Sequence, residues 1–188
     1  MKDLPILLKN VEDFHRKFGI GINVKSQQEM YARCCLLLEE LGELGEIMSG
    51  PKQKLEEEIA DIAYVLLGNL ISMGYKTYNW KSNCTEVNAS YENLVLYCGL
   101  IAKKIRKEWY PESVIFRNTI LNLHLNSFKI LGALANQKNF ELTQAILKKH
   151  TQLLNRKSRI IGNTIVVSHW NNEEYKYNHS KSAHSIRN

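Results

Sequence analysis

A chain of 188 residues with 44% apolar content, ten glycines and only three prolines is long enough for one domain with a real core and favours long helices. Its formal charge of +6 admits polyanionic partners, nucleotide or nucleic acid, without choosing between them. The longest apolar run, Ile59 to Met73, is interrupted by Asp61, Gly68, Asn69 and Ser72, which argues against a membrane span. The opening Met1-Lys2-Asp3-Leu4-Pro5 lacks a secretory pattern, and Cys34, Cys35, Cys84 and Cys98 show no metal or disulfide spacing. A reduced, cytoplasmic protein is expected, with Cys34-Cys35 packing as small apolar residues.

Residues 4–18 place Leu7, Val11, Phe14 and Phe18 on one stripe, with Gly19 as the stop, and predict a first helix. Glu12-x-x-His15 within it is half of a di-iron bundle motif, but no second Glu-x-x-His exists in the chain. Ser26-Gln27-Gln28-Glu29 reads as a capping box opening a second helix to about Met48. After the break at Gly50-Pro51 a third helix runs from about Lys52 to Met73, ended by Gly74. Its half from Ile62 to Met73 is apolar on most sides, so a second subunit is expected to cover it.

Residues 75–89 form a polar, irregular stretch containing Trp80. Ser90 then caps a helix to about Trp109, with Leu94, Cys98, Ile101 and Ile105 inward and Lys103, Lys104, Arg106 and Lys107 outward. Further helices are expected from Glu112 to about Ala135 and from Phe140 to about Asn155. Ile160-Ile161, Gly162-Asn163 and Ile165-Val166-Val167 suggest a short hairpin, and from Ser168 a polar tail follows. The expected fold is an all-α bundle of four to five main helices, completed by oligomerisation, with a short C-terminal β-hairpin. One domain would occupy residues 1–167, with 168–188 as the tail.

The stretch from Glu39 to Asp61 carries the chemistry. It holds Glu39-Glu40-x-x-Glu43 and Glu57-Glu58-x-x-Asp61 on either side of Ser49-Gly50-Pro51. Residues three or four apart share a helical face, so each set can point one way. Positions 43 and 58, like 40 and 61, are symmetric about 50.5. A reversal at Gly50-Pro51 therefore sets Glu43 level with Glu58 and Glu40 level with Asp61. Helices packed ~8–10 Å apart would bring four carboxylates into one groove, where they repel unless a cation neutralises them. Oxygen ligands without His or Cys suit Mg²⁺ or Mn²⁺ rather than zinc. Solvation is the ordinary fate of glutamate runs. Here the carboxylates are interleaved with Leu36, Leu37, Leu38, Leu41, Leu44, Ile47, Ile59 and Ile62, and few lysines stand at i+4. Residues 39–61 hold eight acidic residues and two lysines, leaving 23 basic and 11 acidic residues elsewhere.

Glu40-x-x-Glu43 followed by Glu58-x-x-Asp61 resembles the metal motif of the all-α nucleoside triphosphate pyrophosphohydrolases. These comprise the MazG-like proteins, the dimeric dUTPases and dCTPases, and phosphoribosyl-ATP pyrophosphatase. Phe14-His15, Phe18-Gly19 and the stretch EIADIAYVLLGNLISMGY are similar to the phosphoribosyl-ATP-pyrophosphohydrolase-like branch; the resemblance covers about residues 10–75. It implies Mg²⁺-dependent hydrolysis of a nucleoside triphosphate, a dNTP or non-standard NTP, to the monophosphate and pyrophosphate, as nucleotide-pool housecleaning. Glu40, Glu43, Glu58 and Asp61 would be the metal ligands, and Glu39 would orient or deprotonate the water, with Glu57 as the alternative. The late series Lys148, Lys149, Asn155, Arg156, Lys157 and Arg159 lies where similar proteins place phosphate-contacting residues. Phe14, His15 and Phe18 are candidates for base recognition, against an ordinary core role. The implied partners are a nucleotide and a second or further copies in a homodimer or homotetramer, with no membrane.

A different class of function remains in view: a non-catalytic helical binding module, or a basic nucleic-acid binder using Trp170, Tyr175, Tyr177 and the late lysines. A degenerate enzyme should lack a ligand, and all four are present. Nucleic acid is the less expected partner.

Overall fold

The computed structural model describes residues 3–49, 54–75 and 88–156, together with the backbone of 158–161 and 164–167. Two compact units divide the chain, Met1–Leu154 and Asn155–Asn188. The first contains six helices among the described residues: α1 (Leu4–Phe18), α2 (Gln27–Ser49), α3 (Leu55–Ser72), α4 (Tyr91–Lys107), α5 (Val114–Gln137) and α6 (Leu142–Leu154). The all-α expectation is met, with six helices instead of four or five. In the second unit β1 (Ser158–Ile161) and β2 (Thr164–Val167) pair antiparallel, Ser158 opposite Val167. The Gly162-Asn163 turn, the Gly50-Pro51 reversal, Trp80, Cys84 and the tail from Ser168 lie outside the described residues.

Helix α3 is the axis of the first unit. From Glu58 to Met73 every residue except Asp61 is buried, and α1, α2, α5 and α6 all pack against it. This removes the reason for expecting a second subunit over Ile62–Met73. The chain encloses the helix itself, because four amphipathic helices supply enough apolar stripes to cover every side. α4 completes the unit by packing on α2 and α5.

The stripes that do the covering are those visible in the sequence. α1 buries Leu7, Val11, Phe14 and Phe18, with Leu4, Leu8 and His15 widening the face. Gly19 closes the helix with φ 65°, a left-handed conformation that glycine adopts without a Cβ penalty. α2 buries Met30, Cys34, Leu37, Leu41 and Leu44; its start is held by Ser26 Oγ accepting from the Glu29 N–H at 3.3 Å. Cys34 is buried but Cys35 is exposed, which corrects the expectation that both pack inward. Adjacent helical positions point about 100° apart, and only one fits this stripe. α4 buries Leu94, Cys98, Ile101 and Ile105 as expected, and Ser90 caps it by accepting from the Asn93 N–H.

Boundaries differ where a better cap was available. α5 begins at Val114, not Glu112, because Ser113 caps it by accepting from the Phe116 N–H. α6 begins at Leu142, not Phe140, with the Glu141 carboxylate accepting from the Gln144 N–H at 3.3 Å. The far end of α3 is tied down by Arg117 of α5, which donates to the carbonyls of Met73 and Gly74 and stacks over the Tyr75 ring at 4.4 Å. A cation at a helix C-terminus satisfies orphan carbonyls and the dipole together.

Candidate metal centre

Packing of α2 on α3 brings the two acidic faces together. Oxygens from Glu40, Glu43 and Glu58 lie within 4.8 Å of one another. Of the neighbouring charges, Glu43 acts most strongly on Glu58 and Asp61 on Glu40. The register symmetric about position 50.5 is thus the one the helices adopt. Glu43 is exposed, Glu40 half-buried and Glu58 only 8% exposed, so the cluster opens to solvent on the Glu43 side. Glu58 Oε2 is buried with no hydrogen-bond partner among the described residues. An unsatisfied buried carboxylate oxygen is costly unless something fills the position beside it.

The electrostatics follow from this crowding. Burial, then the charges of Asp61 and Glu43, push the Glu40 carboxyl up to about 8, while Lys149 pulls it down. Burial, then Glu43 and Asp61, push Glu58 up to about 7. Like charges held this close cannot all ionise without a counter-cation.

Asp61 is placed differently from the three glutamates. Its two carboxylate oxygens each lie 2.5 Å from Nζ of Lys149 on α6. Lys149 is itself buried, 6% exposed, and its ammonium also lies 4.0 Å from Glu57 Oε1. Glu57, the alternative water-orienting residue, lies at the outer edge of this lysine's reach and is half-exposed. Glu39 is exposed on α2. The pairing of positions 61 and 149 is the feature that pattern reading missed: an ion pair across 88 residues has no local signal, although an acidic helix facing a Lys-rich one was visible.

The remaining candidates lie elsewhere. His15 is buried, with Nδ1 3.3 Å from the Gly21 carbonyl. Its Nε2 lies beside Gly68, about two turns along α3 from Asp61. Burial and the neighbouring Arg33 charge draw its imidazole down to about 3, so it is neutral. Phe14 and Phe18 are core residues whose rings meet at a tilt of 52° with centroids 4.7 Å apart, and Phe14 meets Tyr64 edge-on at 5.6 Å. Asn155, Arg156 and Arg159 belong to the second unit. A groove of about 510 Å³ opens at the start of α3 and the α5–α6 turn. Lys54, Glu56, Glu57, Lys138, Asn139, Phe140 and Lys148 are among its lining, and Lys148 pairs with Glu56 at 3.5 Å.

The donor set fits a small hard divalent cation. Three oxygens from carboxylates, no nitrogen or sulfur, and a spread of 4.8 Å can close around an ion whose bonds are ~2.0–2.1 Å long, with water completing the shell. The buried, unpartnered Glu58 Oε2 and the raised Glu40 and Glu58 carboxyls are what such an ion would relieve. Comparison with protein-family models, with curated proteins and with solved structures gives no match. No helix among the described residues is long and apolar enough to cross a membrane.

Proposed function

We propose that the chain is a Mg²⁺-dependent nucleoside triphosphate pyrophosphohydrolase of the all-α, MazG-like kind, converting its substrate to the monophosphate and pyrophosphate. The observation that carries the reading is the convergence of Glu40, Glu43 and Glu58 around a buried carboxylate oxygen with no partner. A bound Mg²⁺ or Mn²⁺ would supply charge neutralisation at the phosphates and acidify a coordinated water. Glu40, Glu43 and Glu58 hold that ion. Asp61, next along the same face of α3, borders the site through Lys149. Glu39, exposed one position before Glu40, takes the proton of the attacking water. The water oxygen bonds to phosphorus as the bond to the departing pyrophosphate oxygen breaks.

The groove at the start of α3 offers a place for part of a polyanionic substrate: Lys54, Lys138 and Lys148 outnumber Glu56 and Glu57 in its lining, beside the Phe140 ring, although Lys148 is paired with Glu56. Trp170, Tyr175 and Tyr177, on which the nucleic-acid reading rests, lie outside the described residues. A homodimer or homotetramer in the cytoplasm remains part of the proposal, now supported by exposed Leu38, Leu96 and Leu100 on α2 and α4 instead of by α3.

The test is a panel of canonical and modified NTPs and dNTPs with Mg²⁺, with products separated chromatographically. Monophosphate and pyrophosphate should appear together without a released diphosphate. Glu43→Gln removes a charged ligand at constant size; losing ~4 kcal/mol of transition-state stabilisation lowers the rate about a thousandfold. Glu46→Gln, exposed one turn further on, should retain most activity. Orthophosphate as first product, or full activity in Glu43→Gln, overturns the assignment.

A further inference from the structure

A nucleotide has two ends to place, and the acidic cluster accounts for the phosphate end alone. The base needs an apolar, preferably aromatic, surface with a polar group beside it. Phe14 and Phe18, the candidates on sequence grounds, are buried in the core. The groove of about 510 Å³ at the start of α3 has both features, and its volume falls within the ~300–1,000 Å³ of small-molecule sites. We propose, building on the nucleotide-hydrolase reading, that this groove is the base-recognition site. Phe140 is the surface on which the base stacks, and Asn139 is the group that reads its edge.

The turn between α5 and α6 holds both residues firmly. The Lys138 N–H closes α5 by donating to the Leu134 and Ala135 carbonyls. The Asn139 N–H donates to the Asn136 carbonyl and the Phe140 N–H to the Ala135 carbonyl, each at 3.1 Å. Glu141 then caps α6. Asn139 has φ 62°, a left-handed position at a helix end that glycine ordinarily fills. An asparagine there keeps an amide, with one acceptor oxygen and two donor hydrogens, in the lining of the groove. Phe140 is half-buried, and no aromatic ring or cation among the described residues makes a ring contact with it. A route to the carboxylates is present as well. A second cavity of about 40 Å³ shares Glu56, Glu57 and Lys148 with the groove and has Lys149 in its lining. Lys149 bonds Asp61, whose charge acts on Glu40. Lys54, in the groove, precedes Asp61 by two helical turns, ~10 Å. Lys148 meets Glu56 at 3.5 Å in an exposed pair; such pairs contribute little, so a phosphate can displace the carboxylate.

The probes are the monophosphates of adenosine, guanosine, cytidine and uridine, titrated calorimetrically into the full chain with Mg²⁺. Wild type should rank the four by affinity. Phe140→Leu keeps an apolar side chain but removes the ring, and should weaken the best binder about tenfold, the low end of what base–aromatic stacking contributes. Asn139→Gly suits the left-handed backbone, so it should melt no lower than wild type while the ranking of the bases changes. On the triphosphate hydrolysed best, Phe140→Leu should raise KM with kcat unchanged, the mark of lost substrate binding. Equal affinity in wild type and Phe140→Leu, an unchanged ranking in Asn139→Gly, or no binding of any monophosphate by wild type overturns the proposal. Asn139→Gly decides alone if Phe140→Leu does not fold. Monophosphate binding that depends on both residues, without hydrolysis of any triphosphate, would sink the proposed reaction and leave the base site standing. Mg²⁺-dependent hydrolysis with wild-type KM in both variants would do the reverse.

Discussion

Glu40 and Glu58 respond to pH in the direction opposite to ordinary ion-paired carboxylates. Their carboxyls are raised from an ordinary 4.5 to about 8 and about 7 by burial and by neighbouring charges. Between pH 4.5 and those values the folded chain binds more protons than the unfolded one, so stability falls as pH rises. Below pH 4.5 both states are protonated and the penalty vanishes. His15 and His124 work the other way. Burial lowers them to about 3 and about 4, so they contribute stability above pH 6.5 that is lost as pH falls through those values. Of these four groups, only the two carboxylates act from pH 6.5 to 8.5. In EDTA, the melting temperature should fall across that range. Glu58→Gln, which cannot ionise, should flatten the slope, and so should saturating Mg²⁺ in wild type. Parallel curves for wild type and Glu58→Gln would show that Glu58 is not held near neutrality.

At the scale of elements, α3 depends on a contact that its sequence alone does not announce. Arg33 of α2 donates from Nε to Asn69 Oδ1 at 2.8 Å, lying across Gly68 with the His15 ring beside it. Burial lowers Arg33 to about 10, so it stays charged. A Cβ on Gly68 would stand 2.2 Å from Arg33 Nη2 and 3.0 Å from His15 Nε2. Gly68→Ala therefore sets two effects against each other. Helix propensity favours alanine by ~1 kcal/mol, while displacing Arg33 from Asn69 and overpacking the interface cost ~1–3 kcal/mol each. The sum is a loss of about 1–5 kcal/mol, read by urea unfolding; a stabilised variant would mean that Arg33 moves aside freely. The stripes of α1 and α4 and the mirrored carboxylates were legible in the sequence because they depend on local period and on symmetry about one turn. Arg33 over Gly68, Lys149 on Asp61 and the enclosure of α3 were not, because each joins elements distant along the chain. The apolar surround of Ile62–Met73 signalled burial but could not say whose helices provide it.

Charge is distributed unevenly over the whole molecule, and this sets the last expectation. The stretch 39–61 carries eight acidic residues against two lysines, within a chain whose formal net charge is +6. Attraction between that stretch and the basic remainder is partly realised in the Lys148–Glu56 and Lys149–Asp61 pairs. It does not neutralise Glu40, Glu43 and Glu58, whose oxygens stay within 4.8 Å of one another. The unfolded chain separates these groups, so a divalent ion gains its site only on folding and stabilises by mass action. At a hundredfold excess over the dissociation constant the gain is ~2.7 kcal/mol, which for a chain of this size raises the melting temperature by about 5–10 °C. Diffuse screening by salt acts on all surface charges and should give a smaller, ion-independent change. Melting curves in millimolar MgCl₂ or MnCl₂ should therefore shift upward, and NaCl at matched ionic strength should not reproduce the shift. Glu43→Gln should start at least as stable as wild type in EDTA, since it relieves repulsion, and should gain little from either metal. Equal shifts with sodium and magnesium would reduce the cluster to a solvated acidic face.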